Sequence, residues 1–179
     1  LFDQLKDLRQ HVQIPVFLMG YVNPLLQYGV ERFCEKCKEV GVDGIIVPDL
    51  PMSEYEELYK DTFEKNGIAN IFIVTPQTSE DRIRKIDDLS NSFIYLLSSN
   101  ATTGTKLNVE DKTAAYFQRV KDMQLKNPLI IGFGISNKDS FDKATSYSTG
   151  AIIGTSFVKL LSEENYLDKI PAFIRSIKD

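Results

Sequence analysis

Two stretches near the carboxyl end of the chain combine glycine with a hydroxyl residue where a buried strand gives way to a helix. The first is IIGFGIS (130–136), with Gly132 and Gly134, and the second is GTS (154–156). Backbone N–H groups at a helix N-terminus are unpaired and favour an anion, and glycine lacks the Cβ that would keep an oxygen away. The hydroxyl of Thr155 adds a donor. The pattern indicates a phosphate site, although glycines of this kind also serve plain tight turns.

A long polar loop, SSNATTGTK (98–106), contains a further glycine, Gly104. Loops of this length and polarity can fold over a ligand bound at the end of a sheet. We therefore expect Gly104 to join the glycines of the two carboxyl-terminal strands at the phosphate.

A second constellation is VPDLP (47–51), in which Asp49 stands between two prolines at a strand end. Asp49 could be a catalytic carboxylate, or it could order its loop by accepting hydrogen bonds from nearby N–H groups. A structural or interface role is favoured, because an aspartate stiffened by prolines is poorly placed to move with a substrate. In the segment MGYVNPLLQYG (19–29), Leu25 and Leu26 are either a contact patch for a partner or ordinary loop anchors.

The only two cysteines, Cys34 and Cys37, have the spacing C-x-x-C. A redox pair or half of a zinc site would have this spacing, but the chain has one histidine, far away in sequence. Both cysteines also share a helical apolar stripe with neighbouring valine and phenylalanine residues. The spacing therefore favours buried core thiols and no metal site.

Short apolar runs alternate with helical patterns along the whole chain. The runs are continuous, as in parallel strands buried on both faces, and this predicts an α/β architecture. They are VFLMGY (16–21), GIIVPD (44–49), NIFIVT (70–75), FIYLLS (93–98), PLIIGFG (128–134) and AIIGT (151–155). One helix is predicted to follow Ser136. The last helix, 167–178, is predicted to bury an apolar stripe consisting of Leu167, Ile170, Phe173, Ile174 and Ile177.

The residue types at the ends of the predicted strands indicate whether the sheet is open or closed into a barrel. Polar or glycine residues at four strand ends would meet at one rim, which favours a (β/α)8 barrel over an open doubly wound sheet. Six strands are two short of a barrel, and the chain begins at Leu1 within a helical pattern. We therefore expect residues 1–179 to be a single barrel domain, N-terminally incomplete, with the first two strands missing.

Composition limits the classes of function. Lys and Arg together number 21 against 25 Asp and Glu, giving a net charge of -4 and a pI near 5.1. This balance argues against binding to nucleic acid or to an anionic membrane, each of which favours a basic patch. No apolar run is long enough to span a bilayer, and the cysteine usage suits a reducing compartment. A cytoplasmic protein is predicted.

Five motifs taken together resemble one family. LMGYVNPLLQYGVERF, GVDGIIVPDLP, NATTG, IIGFGIS and IIGTSFVK are similar, in order and spacing, to segments of the tryptophan synthase alpha subunit. The resemblance implies a barrel enzyme of tryptophan biosynthesis, a carbon–carbon lyase. It would cleave indole-3-glycerol phosphate to indole and glyceraldehyde 3-phosphate by a retro-aldol step, without a cofactor in this subunit.

The resemblance also implies roles for individual residues toward the substrate. The phosphate site corresponds to Gly104, Gly134, Gly154 and Thr155, where threonine keeps the hydroxyl of the serine more usual in the family. The indole pocket corresponds to Met19, Ile46, Ile73 and Phe133. Tyr95 corresponds to an active-site tyrosine near the catalytic acid, and Thr103 to the threonine of a loop that closes the site.

A partner is implied in the same way. Asn23, Asp49 and Pro51 correspond to positions that face the beta subunit of an alpha–beta heterotetramer. That subunit holds pyridoxal phosphate and receives the indole. The resemblance thus favours the interface role of Asp49 over the catalytic one.

The sequence departs from the family in one respect. The general acid and base expected for the retro-aldol step are two carboxylates that would lie upstream of Leu1, and no residue of 1–179 corresponds to either. Two alternatives therefore stay open beside the lyase. One is another phosphate-binding barrel enzyme, such as a sugar-phosphate isomerase or epimerase. The other is a non-catalytic regulatory subunit that binds a phosphate ligand.

Overall fold

The computed structural model describes residues 1–97, 106–132 and 134–178, and of residues 106–111 it describes the backbone alone. The chain divides into two compact units, described here one at a time. The first unit consists of Leu1–Phe72 and Lys85–Phe93, and the second of Ile73–Arg84 and Ile94–Asp179. The expectation of one domain over 1–179 stays a prediction.

The first unit is built on three parallel strands. β1 (Phe17–Met19), β2 (Gly44–Ile46) and β3 (Ala69–Ile71) are neighbours in that order. All residues of β2 and β3 are buried, because helices cover a parallel sheet. The helices are α1 (Phe2–Leu5), α2 (Leu8–His11), α3 (Val22–Tyr28), α4 (Val30–Val40), α5 (Met52–Glu54) and α6 (Lys60–Asn66), with a π-helical turn, Tyr55–Tyr59, before α6.

Helix α4 shows how the sequence pattern becomes packing. Cys34, Cys37 and Val40 form its buried stripe, and both thiols are fully buried. Burial raises the pKa of each thiol from 9.0 to about 12, so the reactive thiolate is suppressed. Gly41 ends the helix in the left-handed conformation, with φ of +84°. The prediction that the cysteines face the core is confirmed.

The side chain of Arg9 ties the amino-terminal ends of β1 and β2 together. Its Nε donates to the carbonyl of Gly41 at 2.7 Å, and its Nη1 donates to the carbonyl of Ile14 at 2.8 Å. Its Nη2 pairs with the carboxylate of Asp43, which also accepts the N–H of Val16 at 2.6 Å. A planar guanidinium can satisfy several fixed acceptors at once, so Arg9 holds the turn that leads into each strand.

The second unit contains four parallel strands. These are β4 (Ile73–Val74), β5 (Ile94–Leu97), β6 (Leu129–Gly132) and β7 (Gly150–Ile152), in that order. The helices of this unit are α8 (Lys106–Asp122), α9 (Lys138–Thr145), α10 (Thr155–Leu161) and α11 (Tyr166–Lys178), while α7 (Glu80–Leu89) runs from the second unit into the first. The buried Tyr116 of α8 donates its hydroxyl proton to the carbonyl of Val74 at 2.9 Å.

The parallel βα order confirms the predicted α/β class, with one difference in the strand count. The predicted strand 70–75 is two segments, because β3 pairs with β2 whereas β4 pairs with β5, and Phe72 lies between them. A single run of apolar residues does not reveal such a change of partner. Among the helices that the structure describes, none is long and apolar enough to cross a membrane.

Two helix predictions need correction. Asn137, not Ser136, caps α9, since its side chain accepts the N–H of Ser140. In α11, Leu167 is 67% exposed and Ile174 is 46% exposed, so the predicted buried stripe is wrong at both positions. Ile170 and Phe173 are half-buried, and Ile177 is buried as predicted. Helix α11 packs on α9 and α10 along one side, and that contact is narrower than the apolar stripe.

Candidate site at the carboxyl ends of the strands

Gly134 follows β6 and has a backbone conformation that requires glycine. Its φ is +81°, a left-handed value that side chains rarely tolerate. Downstream, the N–H groups of Ser136 and Asn137 donate to the hydroxyl of Ser140, at 3.0 and 3.1 Å. The chain therefore satisfies these donors itself. An anion bound at this loop would have to use N–H groups closer to Gly134.

Gly154 follows β7 and shows the opposite situation. Its φ is −100°, which any residue adopts, and a Cβ built there meets no atom within 4 Å. Gly154 is the N-cap of α10 and has no side chain with which to cap it, and both Gly154 and Thr155 are exposed. A tight turn explains the glycine at 134 but not the glycine at 154. At 154, the missing Cβ favours close approach of a group from outside the chain.

Tyr95 lies on β5 and is nearly buried, with 9% of its surface exposed. It is in register with Ile73 on one side and Ile130 on the other, so two of the predicted site residues, Tyr95 and Ile73, are neighbours. Burial raises the pKa of the Tyr95 phenol, which keeps the hydroxyl protonated as a hydrogen-bond donor.

Sequence reasoning missed the role of Gly132 in this arrangement. A Cβ at Gly132 would overlap the ring edge and hydroxyl of Tyr95. The first glycine of GFG therefore makes room for a side chain of the adjacent strand, and the second permits the turn that follows. Only the pairing of β5 with β6 could reveal this, because the two residues are far apart in sequence.

In the first unit, two predicted pocket residues end adjacent strands. Met19 pairs in register with Ile46, and Met19 is 63% exposed whereas Ile46 is 7% exposed. Both border a cavity of about 520 Å³. Its other lining residues are mainly apolar: Leu1, Phe2, Leu18, Gly20, Tyr21, Pro24, Leu25, Tyr28, Phe33, Ile45 and Val47.

The predicted interface residues also belong to the first unit. Asn23 in α3, Asp49 after β2 and Pro51 at the start of α5 are all exposed. The Asp49 carboxylate accepts the backbone N–H of Val22 at 2.9 Å. The aspartate thus does order a loop, as one of the alternatives held, but it is the loop that follows β1 and not its own.

Three predicted site residues, Thr103, Gly104 and Phe133, lie outside the described residues. Within the described ranges, no group of three or more His, Cys, Asp or Glu side chains could hold a metal ion.

Fold and site together define the class of protein. It is an α/β protein of parallel strands whose candidate binding residues lie at or just beyond the carboxyl ends of β1, β2, β6 and β7. Binding residues at the carboxyl ends of parallel strands are typical of barrel enzymes.

Comparison with known proteins identifies the family. A family model described as tryptophan synthase alpha chain matches residues 1–176. The tryptophan synthase alpha chain of Flavobacterium psychrophilum is 56% identical over 177 residues, covering 99% of this chain and 70% of that protein. The corresponding protein of Flavobacterium johnsoniae is 53% identical over 178 residues, with the same coverage. The chain belongs to the tryptophan synthase alpha chain family.

Solved structures agree with the sequence comparisons. The tryptophan synthase A-subunit from Pyrococcus furiosus superposes with a TM-score of 0.85 and 28% identity, covering 99% of this chain and 71% of that chain. A tryptophan synthase complex from the same organism gives a TM-score of 0.84 at the same identity and coverage. These findings confirm the predicted family, its role in tryptophan biosynthesis, the lyase class and the barrel fold class.

Proposed function

We propose that this chain binds indole-3-glycerol phosphate and cleaves it to indole and glyceraldehyde 3-phosphate. The observation that carries the proposal is the exposed pair Gly154–Thr155 at the start of α10, where the chain itself does not require glycine. The phosphate lies there and beside Gly134, with Gly104 completing the site. The dipole of α10 and the unpaired N–H groups of its first turn stabilise the negative charge.

The indole ring lies against apolar side chains. Met19 and Ile46 in the first unit, and Ile73 and Phe133 in the second, are the residues assigned to the indole ring. Tyr95, in register with Ile73, contributes a protonated hydroxyl as a donor, and Thr103 is assigned to closing the site, as the family resemblance implies. An apolar wall favours an indole over a sugar, which would need more polar partners, and this argues against a sugar-phosphate isomerase or epimerase.

The chemistry of the cleavage defines what these residues do. Protonation of the indole ring carbon and removal of the proton of the side-chain hydroxyl break the bond between ring and side chain, releasing indole and an aldehyde. The residues of 1–179 bind and orient the substrate for that step. The roles of general acid and base are assigned to no residue among them.

We further propose a partner on the exposed surface that contains Asn23, Asp49 and Pro51. That partner is a beta subunit that carries pyridoxal phosphate and takes up the indole, in a cytoplasmic heterotetramer. Asn23→Arg is expected to weaken the alpha–beta complex at least about tenfold, because it places a bulky charge in an interface. The matched control is Asn91→Arg, at an exposed position that precedes a strand instead of following one. Equal affinity of both variants for the beta subunit, measured by calorimetry, would remove Asn23 from the interface.

The phosphate assignment is tested by Gly154→Val. Because φ at 154 is ordinary and a Cβ has open space, the variant should fold, with a loss of about 1 kcal/mol at most for the less favourable N-cap residue. It should nevertheless lose binding of an indole-alkyl phosphate in calorimetry, since the valine side chain fills the space assigned to the anion. Gly134→Val should lose binding too, but there the positive φ couples the loss to backbone strain. Wild-type affinity in Gly154→Val would refute the phosphate site.

The reaction is tested by indole release. The protein should liberate indole from indole-3-glycerol phosphate, and faster with the beta subunit present. If neither condition releases indole although the indole-alkyl phosphate binds, the chain is a binding subunit and not a lyase. If a sugar phosphate binds more tightly than the indole compound, the isomerase or epimerase alternative is favoured.

A further inference from the structure

The start of α3 lacks a cap of its own and takes one from another loop. The first N–H groups of a helix have no partner within the helix. The N-cap residue, Tyr21, makes no side-chain capping bond. Instead, the Asp49 carboxylate accepts the N–H of Val22, the first residue of α3, at 2.9 Å and across 27 positions of sequence. A carboxylate is a favourable acceptor at this end of a helix dipole.

The loop that carries Asp49 is held in shape. The N–H of Leu50 donates to the carbonyl of Val47 at 3.2 Å, which closes a turn around Asp49. Pro48 and Pro51 restrict the backbone on both sides, and Pro48 has no N–H with which to continue the strand ladder. The acceptor is therefore presented from a stiff support, while the segment that it holds is less constrained.

The segment that Asp49 holds, residues 20–22, continues from β1, where Met19 is paired in register with Ile46. Within the part of the chain that the structure describes, β1 pairs with β2 alone, and Met19 at its end is 63% exposed. Beyond Met19, the N–H of Gly20 donates to the carbonyl of Ile46 at 3.1 Å. Gly20 is conformationally free, and a Cβ built on it meets no atom within 4 Å. The hydrogen bonds of Gly20 and Val22 thus fix the path from β1 into α3.

We propose that Asp49 is a positioning residue, whose bond to Val22 fixes segment 20–22 and thereby holds the end of β1, where Met19 stands beside Ile46 as a wall for the indole ring. This inference rests on the proposed function, since it takes Met19 and Ile46 as pocket residues. It gives Asp49 a role within the chain, distinct from contact with a partner. The residues assigned to the phosphate, Gly134 and Gly154, belong to the other compact unit. Asp49 therefore affects affinity for the indole ring and leaves affinity for phosphate unchanged.

The test compares Asp49→Ala with Asp49→Asn, which keeps an oxygen acceptor without the charge. Glu54→Ala is the matched control, since it removes an exposed carboxylate of the next helix that makes no bond to the described side chains. Backbone amide exchange over residues 20–28 is followed by mass spectrometry. Binding of free indole is followed by its fluorescence, which no tryptophan of the chain obscures. Binding of inorganic phosphate is measured by calorimetry.

Asp49→Ala should speed amide exchange in 20–28 and weaken indole binding about three- to tenfold, the range of one net hydrogen bond. Phosphate affinity should stay at the wild-type value, Asp49→Asn should show a smaller effect, and Glu54→Ala should show none. Unchanged indole affinity in Asp49→Ala overturns the inference, and so does an equal loss of indole and phosphate affinity, which marks general destabilisation. If the wild type itself binds phosphate but not indole, the proposed function fails, and the assignment of Asp49 to an indole wall fails with it.

Discussion

Substitution of Gly132 by alanine tests the contact on which the position of Tyr95 depends. A Cβ at 132 would stand 2.6 Å from Cζ of Tyr95 and would overlap Cε2 and the hydroxyl oxygen even more closely. Separations under 3.0 Å are essentially never seen for real Cβ atoms. The ring has little room to retreat, because it is nearly buried and β5 has a strand on each side. Either the ring or the strand pairing has to shift.

The size of the effect follows from overpacking. Forcing one extra methyl group into a packed interior costs about 1–3 kcal/mol. For a chain of this size, each kcal/mol lowers the melting temperature by about 2–4 °C, so Gly132→Ala should melt about 2–12 °C below the wild type. Because Tyr95 is assigned to the substrate pocket, affinity for an indole-alkyl phosphate should fall as well.

The assay is thermal unfolding followed by circular dichroism, with Gly150→Ala as the matched control. Gly150 lies on the neighbouring strand β7, and a Cβ there meets nothing within 4 Å. That control should be neutral or slightly stabilising, since alanine restricts the unfolded chain more than glycine does. In the double variant with Tyr95→Leu, the cost of Gly132→Ala should shrink, because the clashing ring is gone. The proposed clash is refuted if Gly132→Ala and Gly150→Ala have the same melting temperature. It is also refuted if Gly132→Ala lowers the stability of the Tyr95→Leu protein as much as that of the wild type.

Three further outcomes are expected. Arg9→Lys keeps the charge but loses the planar fork of donors, so urea unfolding should show a loss of about 1–2 kcal/mol; a stability equal to the wild type would contradict the assigned network. Burial raises the pKa of Cys34 and Cys37 from 9.0 to about 12, so above pH 9 the unfolded state loses protons that the folded state retains. Stability should therefore be independent of these thiols below pH 9 and should fall as the pH rises toward 12, and the fall should be shallower when both are alanine. Tyr116→Phe should cost about 1 kcal/mol in the same unfolding assay, since it leaves a buried carbonyl of β4 without its hydroxyl donor; no loss would argue against that bond.

Much of the fold could be predicted because it is encoded locally. Continuous apolar runs indicate buried parallel strands whatever their partners, and helical spacing puts Cys34 and Cys37 on the buried side of α4. Gly41 and Gly67 end α4 and α6 in the left-handed conformation, as glycines after a helical pattern usually do. The family resemblance, carried by five motifs, is confirmed by the comparisons over residues 1–176.

Other features could not be predicted because they depend on which segments meet. The run 70–75 looks uniform, yet its two halves pair with different strands. The apolar stripe of α11 looks buried throughout, yet the width of its contact leaves Leu167 exposed. The cap of α9 was placed one residue early, since Ser136 and Asn137 are both good capping residues and only the bond to Ser140 distinguishes them.

The sequence by itself determined the order of strands and helices, the family, and the residue types at each strand end. These properties depend on periodicity and motif, which act over a few residues. Only the tertiary structure decided that Gly132 makes room for Tyr95, that Gly134 needs its positive φ whereas Gly154 does not, and that Asp49 caps α3. Each of these depends on strand register or loop geometry, in which atoms distant along the chain come within a few ångströms of each other.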